Sequence, residues 1–176
     1  MRNISGYFYT LGEGVEKNDS LAFENFKKAA ELKSANGALN LGVQYMLGCG
    51  TIKDLKESEK WYIKAAEYGN AEAAWRLYAM YTNGDSFPKN EIKAEEFLQK
   101  AVKAKHPEAC YLIGARYYWG KSVEKNYQQA FIYWKLAADQ GHLDACKNVA
   151  YCYKNGEGCT KDLKKAEEYE NKAKGK

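Results

Sequence analysis

Three sets of residues in this chain have types that could do chemistry: two histidines, five cysteines and three Gly-x-Gly triplets. Histidine and cysteine could hold zinc or build an activated nucleophile, provided they cluster at ligand or hydrogen-bond spacing. His106 and His142 stand 36 residues apart, and no cysteine or carboxylate clusters with them at ligand spacing. Cys152 and Cys159 are seven residues apart, and neither histidine falls in residues 143–176. A Cys/His nucleophile pair is therefore not expected. The triplets Gly12–Gly14, Gly48–Gly50 and Gly156–Gly158 could cradle a phosphate, but they follow helical patterns rather than strands. A turn between two helices accounts for them. The expectation is no catalytic residue, no metal and no cofactor.

The elements that carry these residues follow from one period. Shifted by 36, the sequence matches itself without a gap. Tyr9, Tyr45, Tyr81, Tyr117 and Tyr153 form one column, and Gly12, Gly48, Gly84, Gly120 and Gly156 a second. Ala29, Ala65, Ala101, Ala137 and Ala173 form a third, and Lys17, Lys53, Lys89, Lys125 and Lys161 a fourth. The repeats are 1–34, 35–70, 71–106, 107–142 and 143–176, read as one domain over 1–176.

Each repeat reads as two antiparallel helices. In 35–70, helix A spans about Ala35 to Leu47, with Ala38, Leu41, Gly42 and Tyr45 on one buried face. Gly48-Cys49-Gly50 ends it, and helix B starts after Asp54. The column Asn18, Asp54, Asn90, Asn126 and Asp162 consists of preferred N-cap residues. Glu57 and Gln129 stand three residues beyond their caps, as a capping box requires. Gly42 and Gly114 allow close approach of the two helices, and Trp61, Phe97, Tyr133 and Tyr169 are expected, with the tyrosine column, to fill the space between neighbouring pairs. The lysine column precedes each helix B, where the helix dipole does not favour a cation. It is read as a solvated turn residue, or as a basic ridge for an acidic partner. The fold class is all-α, an α-α superhelix or solenoid of five helix-turn-helix repeats.

The run Leu41-Gly42-x-x-Tyr45-x-x-Gly48-x-Gly50, then Lys53-Asp54, then Trp61-Tyr62-x-Lys64-Ala65-Ala66-Glu67-x-Gly69, resembles the Sel-1-like repeat (SLR), a relative of the tetratricopeptide repeat. Repeat 71–106 departs from the pattern, with Tyr78 for the helix-A glycine and Ser86-Phe87-Pro88 in the turn. The resemblance implies a non-enzymatic protein-interaction adaptor of bacterial type. A secreted or surface role in host contact, or a β-lactamase-like enzyme, are the alternatives. A cysteine-rich branch of that family carries a disulfide from helix B to the next helix A; here Cys110 and Cys146 have Val102 and Ala138 eight residues earlier. They are expected to be small core residues.

Composition narrows the classes. Lys and Arg total 27 against 23 Asp and Glu, a formal net charge of +4, too mild to imply nucleic acid or a membrane surface. No run of about 18 apolar residues exists, and the start Met1-Arg-Asn-Ile-Ser-Gly lacks the apolar segment of a signal peptide. Five cysteines cannot all pair, which favours a cytoplasmic setting, with a periplasmic or secreted one following if a signal was removed. The chain is read as a monomer.

Function is therefore sought on a surface. If the helix-A face that does not meet helix B lines a concave groove, positions 36, 39, 43, 46 and 47 and their repeats face inwards. The protein-binding residues expected there are Leu39, Met46, Trp75, Tyr111, Arg116, Tyr118, Trp119 and Tyr151. Aromatic and arginine clusters are enriched in binding hot spots. The competing expectation is that these aromatics pack against the adjoining repeat.

Overall fold

The computed structural model describes Gly6, Tyr9–Leu11 and residues 18–175, and every regular element among these is a helix. The triplet Gly12–Gly14 and Lys17 lie outside the described residues. Beyond the helical residues Gly6 and Tyr9–Leu11, the described helices from residue 18 on are α1 (Asp19–Glu31), α2 (Ala35–Leu47), α3 (Leu55–Glu67), α4 (Ala71–Asn83), α5 (Glu91–Lys103), α6 (Pro107–Trp119), α7 (Tyr127–Ala138), α8 (Leu143–Asn155) and α9 (Leu163–Ala173). The contacts divide the chain into two compact units, Met1–Ala104 and Lys105–Lys176. Within the first, α2 packs on α3 and α4 on α5, and α1 and α3 pack on the helices that follow them. Within the second, α6 packs on α7, α7 on α8 and α8 on α9.

The turns show why the helices begin and end where they do. Gly48, Gly84, Gly120 and Gly156 all stop a helix with positive φ, between 67° and 81°, a conformation cheap only for glycine. The cap column then starts the next helix: Asn18, Asp54, Asn90, Asn126 and Asp162 all accept first-turn amides on their side-chain oxygens, worth about 1 kcal/mol each. The capping box expected at Glu57 is replaced by another device. The amide of Asp54 donates to the Tyr45 carbonyl at 2.9 Å, and the same bond recurs as Asn18 to Tyr9, Asn90 to Tyr81, Asn126 to Tyr117 and Asp162 to Tyr153. An otherwise unpaired carbonyl near the end of helix A thus satisfies the cap of helix B, and Glu57 is left to pair with Lys60 at 2.8 Å.

The glycine column inside helix A sets how closely the paired helices approach. A Cβ on Gly6 would strike the Phe26 ring, on Gly42 the Tyr62 ring and backbone, and on Gly114 the Trp134 indole. The one repeat with a large residue there, Tyr78, has the smaller Leu98 at the opposing position. In repeat 71–106 the large residue on helix A thus coincides with a shorter one on helix B.

Aromatics fill the remaining space in a way periodicity did not specify. Tyr81 stacks on Phe97 at 5.8 Å and Tyr117 on Tyr133 at 5.8 Å, within a repeat rather than between repeats. Tyr45 is only half-buried and meets Phe23 of the preceding repeat edge-on at 5.3 Å, while Trp61 lies under the Lys64 ammonium. Where the Phe23 position carries Glu59, the Tyr81 hydroxyl donates to its carboxylate and Lys93 bridges both. Cys110 and Cys146 are buried among Ala130, Trp134, Ala137 and Val149, as small core residues.

A candidate binding groove on residues 105–176

The unit Lys105–Lys176 carries a groove of ≈ 300 Å³ lined by Tyr111, Ala115, Tyr118 and Trp119 of α6, Trp134 of α7, and Asn148 and Tyr151 of α8. Both α6 and α8 are helices A of consecutive repeats. Spacing of three and four residues brings Tyr111, Ala115, Tyr118 and Trp119 onto one side of α6. Cys110, Ile113 and Gly114 are buried on its other side.

The walls are fixed by packing and polar contacts. Tyr111 stacks on the His142 ring at 4.5 Å, with an interplanar angle of 18°. His142 is itself the N-cap of α8, its Nδ1 accepting from the Ala145 amide at 3.2 Å. Trp134 reaches the groove from helix B because Gly114 leaves room for it, and its Nε1–H donates to the Tyr111 carbonyl at 3.2 Å. Tyr118 sits among Trp119, Tyr127 and Trp134 with ring centroids 4.9 to 5.2 Å away. Its hydroxyl donates to Glu157 Oε2 at 3.1 Å. Burial and that neighbouring carboxylate push the Tyr118 phenol well above its ordinary pKa, so it remains a protonated donor. Against these fixed walls, Trp119 is 67% exposed and Tyr151 47% exposed. Large apolar side chains left in water beside a groove are features of a binding surface.

Of the residues expected from sequence, Tyr111, Tyr118, Trp119 and Tyr151 are brought together. Both expectations for the aromatics meet here: Tyr111 and Tyr118 pack on neighbouring side chains, whereas Trp119 projects into solvent. Arg116 is half-buried on α6 and does not line the groove; its carbonyl accepts from the Lys121 amide at 2.9 Å. Leu39, Met46 and Trp75 are half-buried in the other unit, where Trp75 lies 5.1 Å from the Tyr78 ring. Trp134 and Asn148 were not singled out by sequence. The glycine at 114 was the signal for Trp134, since a small residue on one helix implies a large one opposite. Asn148 is adjacent to Tyr151 on α8, and no signal distinguished it.

The groups first considered for chemistry have structural positions. His106 and His142 stand at the N-caps of helices A, and His106 is buried with Nδ1 3.1 Å from Glu108 Oε2. The five cysteines are unbridged. Burial pushes the Cys152 thiol up to about 12, which removes it as a nucleophile at neutral pH. Gly50 and Gly158 take positive φ and press on the backbone of Asp19 and Tyr127 at the start of the preceding repeat's helix B. No group of three potential metal ligands occurs among the described residues, and no helix among them is long and apolar enough to cross a membrane.

The family model of the Sel1 repeat matches residues 1–34, 35–70, 71–106, 107–142 and 143–173. A Sel1 repeat protein from Oxalobacter formigenes is 32% identical over 99% of this chain and 69% of its own, with a TM-score of 0.70. A protective antigen of uropathogenic Escherichia coli with an SLR fold is 28% identical at a TM-score of 0.74; 99% of this chain is covered, but only 37% of the antigen. An immunity protein of Pseudomonas aeruginosa, 21% identical over 99% of this chain and 67% of its own at a TM-score of 0.59, shares the fold. No curated protein matches the chain.

Proposed function

The chain belongs to the Sel1 repeat family, whose members commonly serve as protein-interaction scaffolds, and on that premise we propose that it is a non-enzymatic adaptor that seats a protein segment in the groove of residues 105–176. The observation that carries this reading is Trp119, 67% exposed at the rim of a ≈ 300 Å³ aromatic groove whose Tyr111, Tyr118 and Trp134 walls are held by internal contacts. Pockets of about 300–1,000 Å³ are the usual size for specific recognition, and this one suits a single large side chain of a peptide. The test is selection of a displayed peptide library on the full chain, with Trp119→Ala run in parallel. Sequences that bind the wild type and are lost on the variant support the groove; enrichment that is identical on both places binding elsewhere.

The likeness to a protective antigen supports a second reading, a bacterial surface protein in host contact. Labelling of intact cells with antibody to this chain tests it. Signal that appears only after lysis refutes it.

A further inference from the structure

Building on the adaptor reading, we infer that the occupant of the groove is an extended acidic peptide, anchored by one large apolar side chain and flanked by Asp or Glu. Charge is distributed unevenly along the chain. Residues 105–176 carry 13 Lys and Arg against 9 Asp and Glu, whereas residues 1–104 carry 14 of each. The whole excess of four positive charges therefore belongs to the unit that holds the groove.

That charge has a place to act. A second cavity of ≈ 340 Å³ lies between α8 and α9, bordered by Lys147, Ala150, Tyr151, Lys154, Glu170 and Lys174. Tyr151 is a wall of both cavities, so one is aromatic, the next is rimmed by three lysines, and one side chain divides them. Lys147 is paired with Asp144 at 2.8 Å, but Lys154 and Lys174 form no ion pair among the described residues. The two cavities share the Tyr151 side chain, so a peptide that sets an apolar anchor in the first can reach the second with residues nearby in its sequence, an extended chain advancing about 3.3 Å per residue.

Asn148 lies beside Tyr151 in the aromatic groove, and its side chain makes no hydrogen bond among the described residues. Its amide offers a donor and an acceptor together, the pair an extended backbone presents. A single-stranded nucleic acid is the other ligand of basic aromatic surfaces, and it is the competing outcome of the test below.

The experiment is fluorescence anisotropy on the full chain with three labelled peptides of about 12 residues. Each has a central Trp, flanked by Asp/Glu, by Ser/Gly or by Lys. The acidic peptide is expected to bind roughly tenfold tighter than the neutral one, and to lose that margin as salt rises from about 50 to about 300 mM. Lys154→Glu with Lys174→Glu, both at exposed positions, should erase or invert the order, while Trp119→Ala weakens all three. If Trp119→Ala changes nothing, or no peptide binds, the adaptor groove itself falls. If Trp119→Ala weakens all three but the wild type binds them alike, the groove stands and the acidic occupant is wrong. Tighter binding of labelled oligo(dT) than of the acidic peptide, also lost in Trp119→Ala, would overturn the peptide in favour of nucleic acid.

Discussion

Replacing Gly114 by alanine isolates the pairing of small and large residues that shapes the groove. Alanine is the better helix former by about 1 kcal/mol in a helix interior, so the backbone alone predicts a gain. Packing opposes it. A Cβ on Gly114 stands 2.5 Å from Trp134 Cδ1 and 2.7 Å from Nε1, against an optimum of about 3.5–4.0 Å. The indole is 4% exposed, flanked by the Tyr118 ring at 5.1 Å, and bonded to the Tyr111 carbonyl at 3.2 Å. It cannot move aside without releasing that bond. Overpacking of this kind costs about 1–3 kcal/mol, and the lost buried hydrogen bond about 1 kcal/mol more. The net effect is a destabilisation of about 1–3 kcal/mol, or a Tm lower by about 2–10 °C. Urea unfolding followed by circular dichroism reads it. Gly42→Ala is the internal comparison: its Cβ would lie 3.2 Å from Tyr62 Cδ2 and 3.3 Å from the Ser58 carbonyl, so its cost is smaller. Trp134→Leu combined with Gly114→Ala should be less damaging than the sum of the single changes by about 1 kcal/mol. A Gly114→Ala protein as stable as wild type, or additive behaviour in the double variant, would refute the size-pairing argument.

Further outcomes follow from other parts of the molecule. Trp119→Ala should unfold within about 0.5 kcal/mol of wild type in the same assay, because an exposed side chain contributes little, while binding to any groove ligand weakens. Lys33 holds φ 58° at the position where Gly69 and Gly141 have 87° and 88°; Lys33→Gly should therefore stabilise by about 0.5 kcal/mol, relief of the left-handed strain outweighing glycine's entropy. The Lys165 amide, donating to Asp162, together with the Lys165 ammonium, holds the Asp162 carboxyl below its ordinary range. A depressed folded pKa gives stability present above the unfolded value and lost as pH falls through the folded one. Asp162→Asn should keep the cap at neutral pH and flatten the fall in stability below about pH 4. An unchanged acid limb in that variant would count against the linkage.

The parts of the structure written most openly in the sequence are those in which every repeat repeats the same solution. The helix bounds of α2, the five caps and the glycine stops came from columns in which one physical requirement recurs. Residues whose partners differ from repeat to repeat were less legible. Periodicity puts Tyr45, Tyr81 and Tyr117 on one face, but whether a ring leans on Phe23, Phe97 or Tyr133 depends on what the opposing column holds. The capping box at Glu57 was misread because a carbonyl nine residues before the cap, and not the side chain three after it, reaches the amide first. In the groove, helical spacing grouped Tyr111, Tyr118 and Trp119, all on α6, and the repeat register added Tyr151. Trp134 arrives from another helix, and only the combination with Gly114 announces it. Arg116 shares the helix but not the opening, since one residue along a helix turns the side chain by about 100°.

The bond from each cap amide to the tyrosine carbonyl has a consequence for how such a chain can grow. In all five instances both partners belong to the same repeat, so the turn is closed by groups that are always inherited together. A duplication of 36 residues copies a complete turn with its own lock, whether the position two residues past the helix-stopping glycine holds Gly50, Ser86, Ser122 or Gly158. Gene arrays of this kind can therefore gain or lose whole modules by recombination in register, whereas a shift of even one residue separates tyrosine from cap and leaves two backbone groups unpaired.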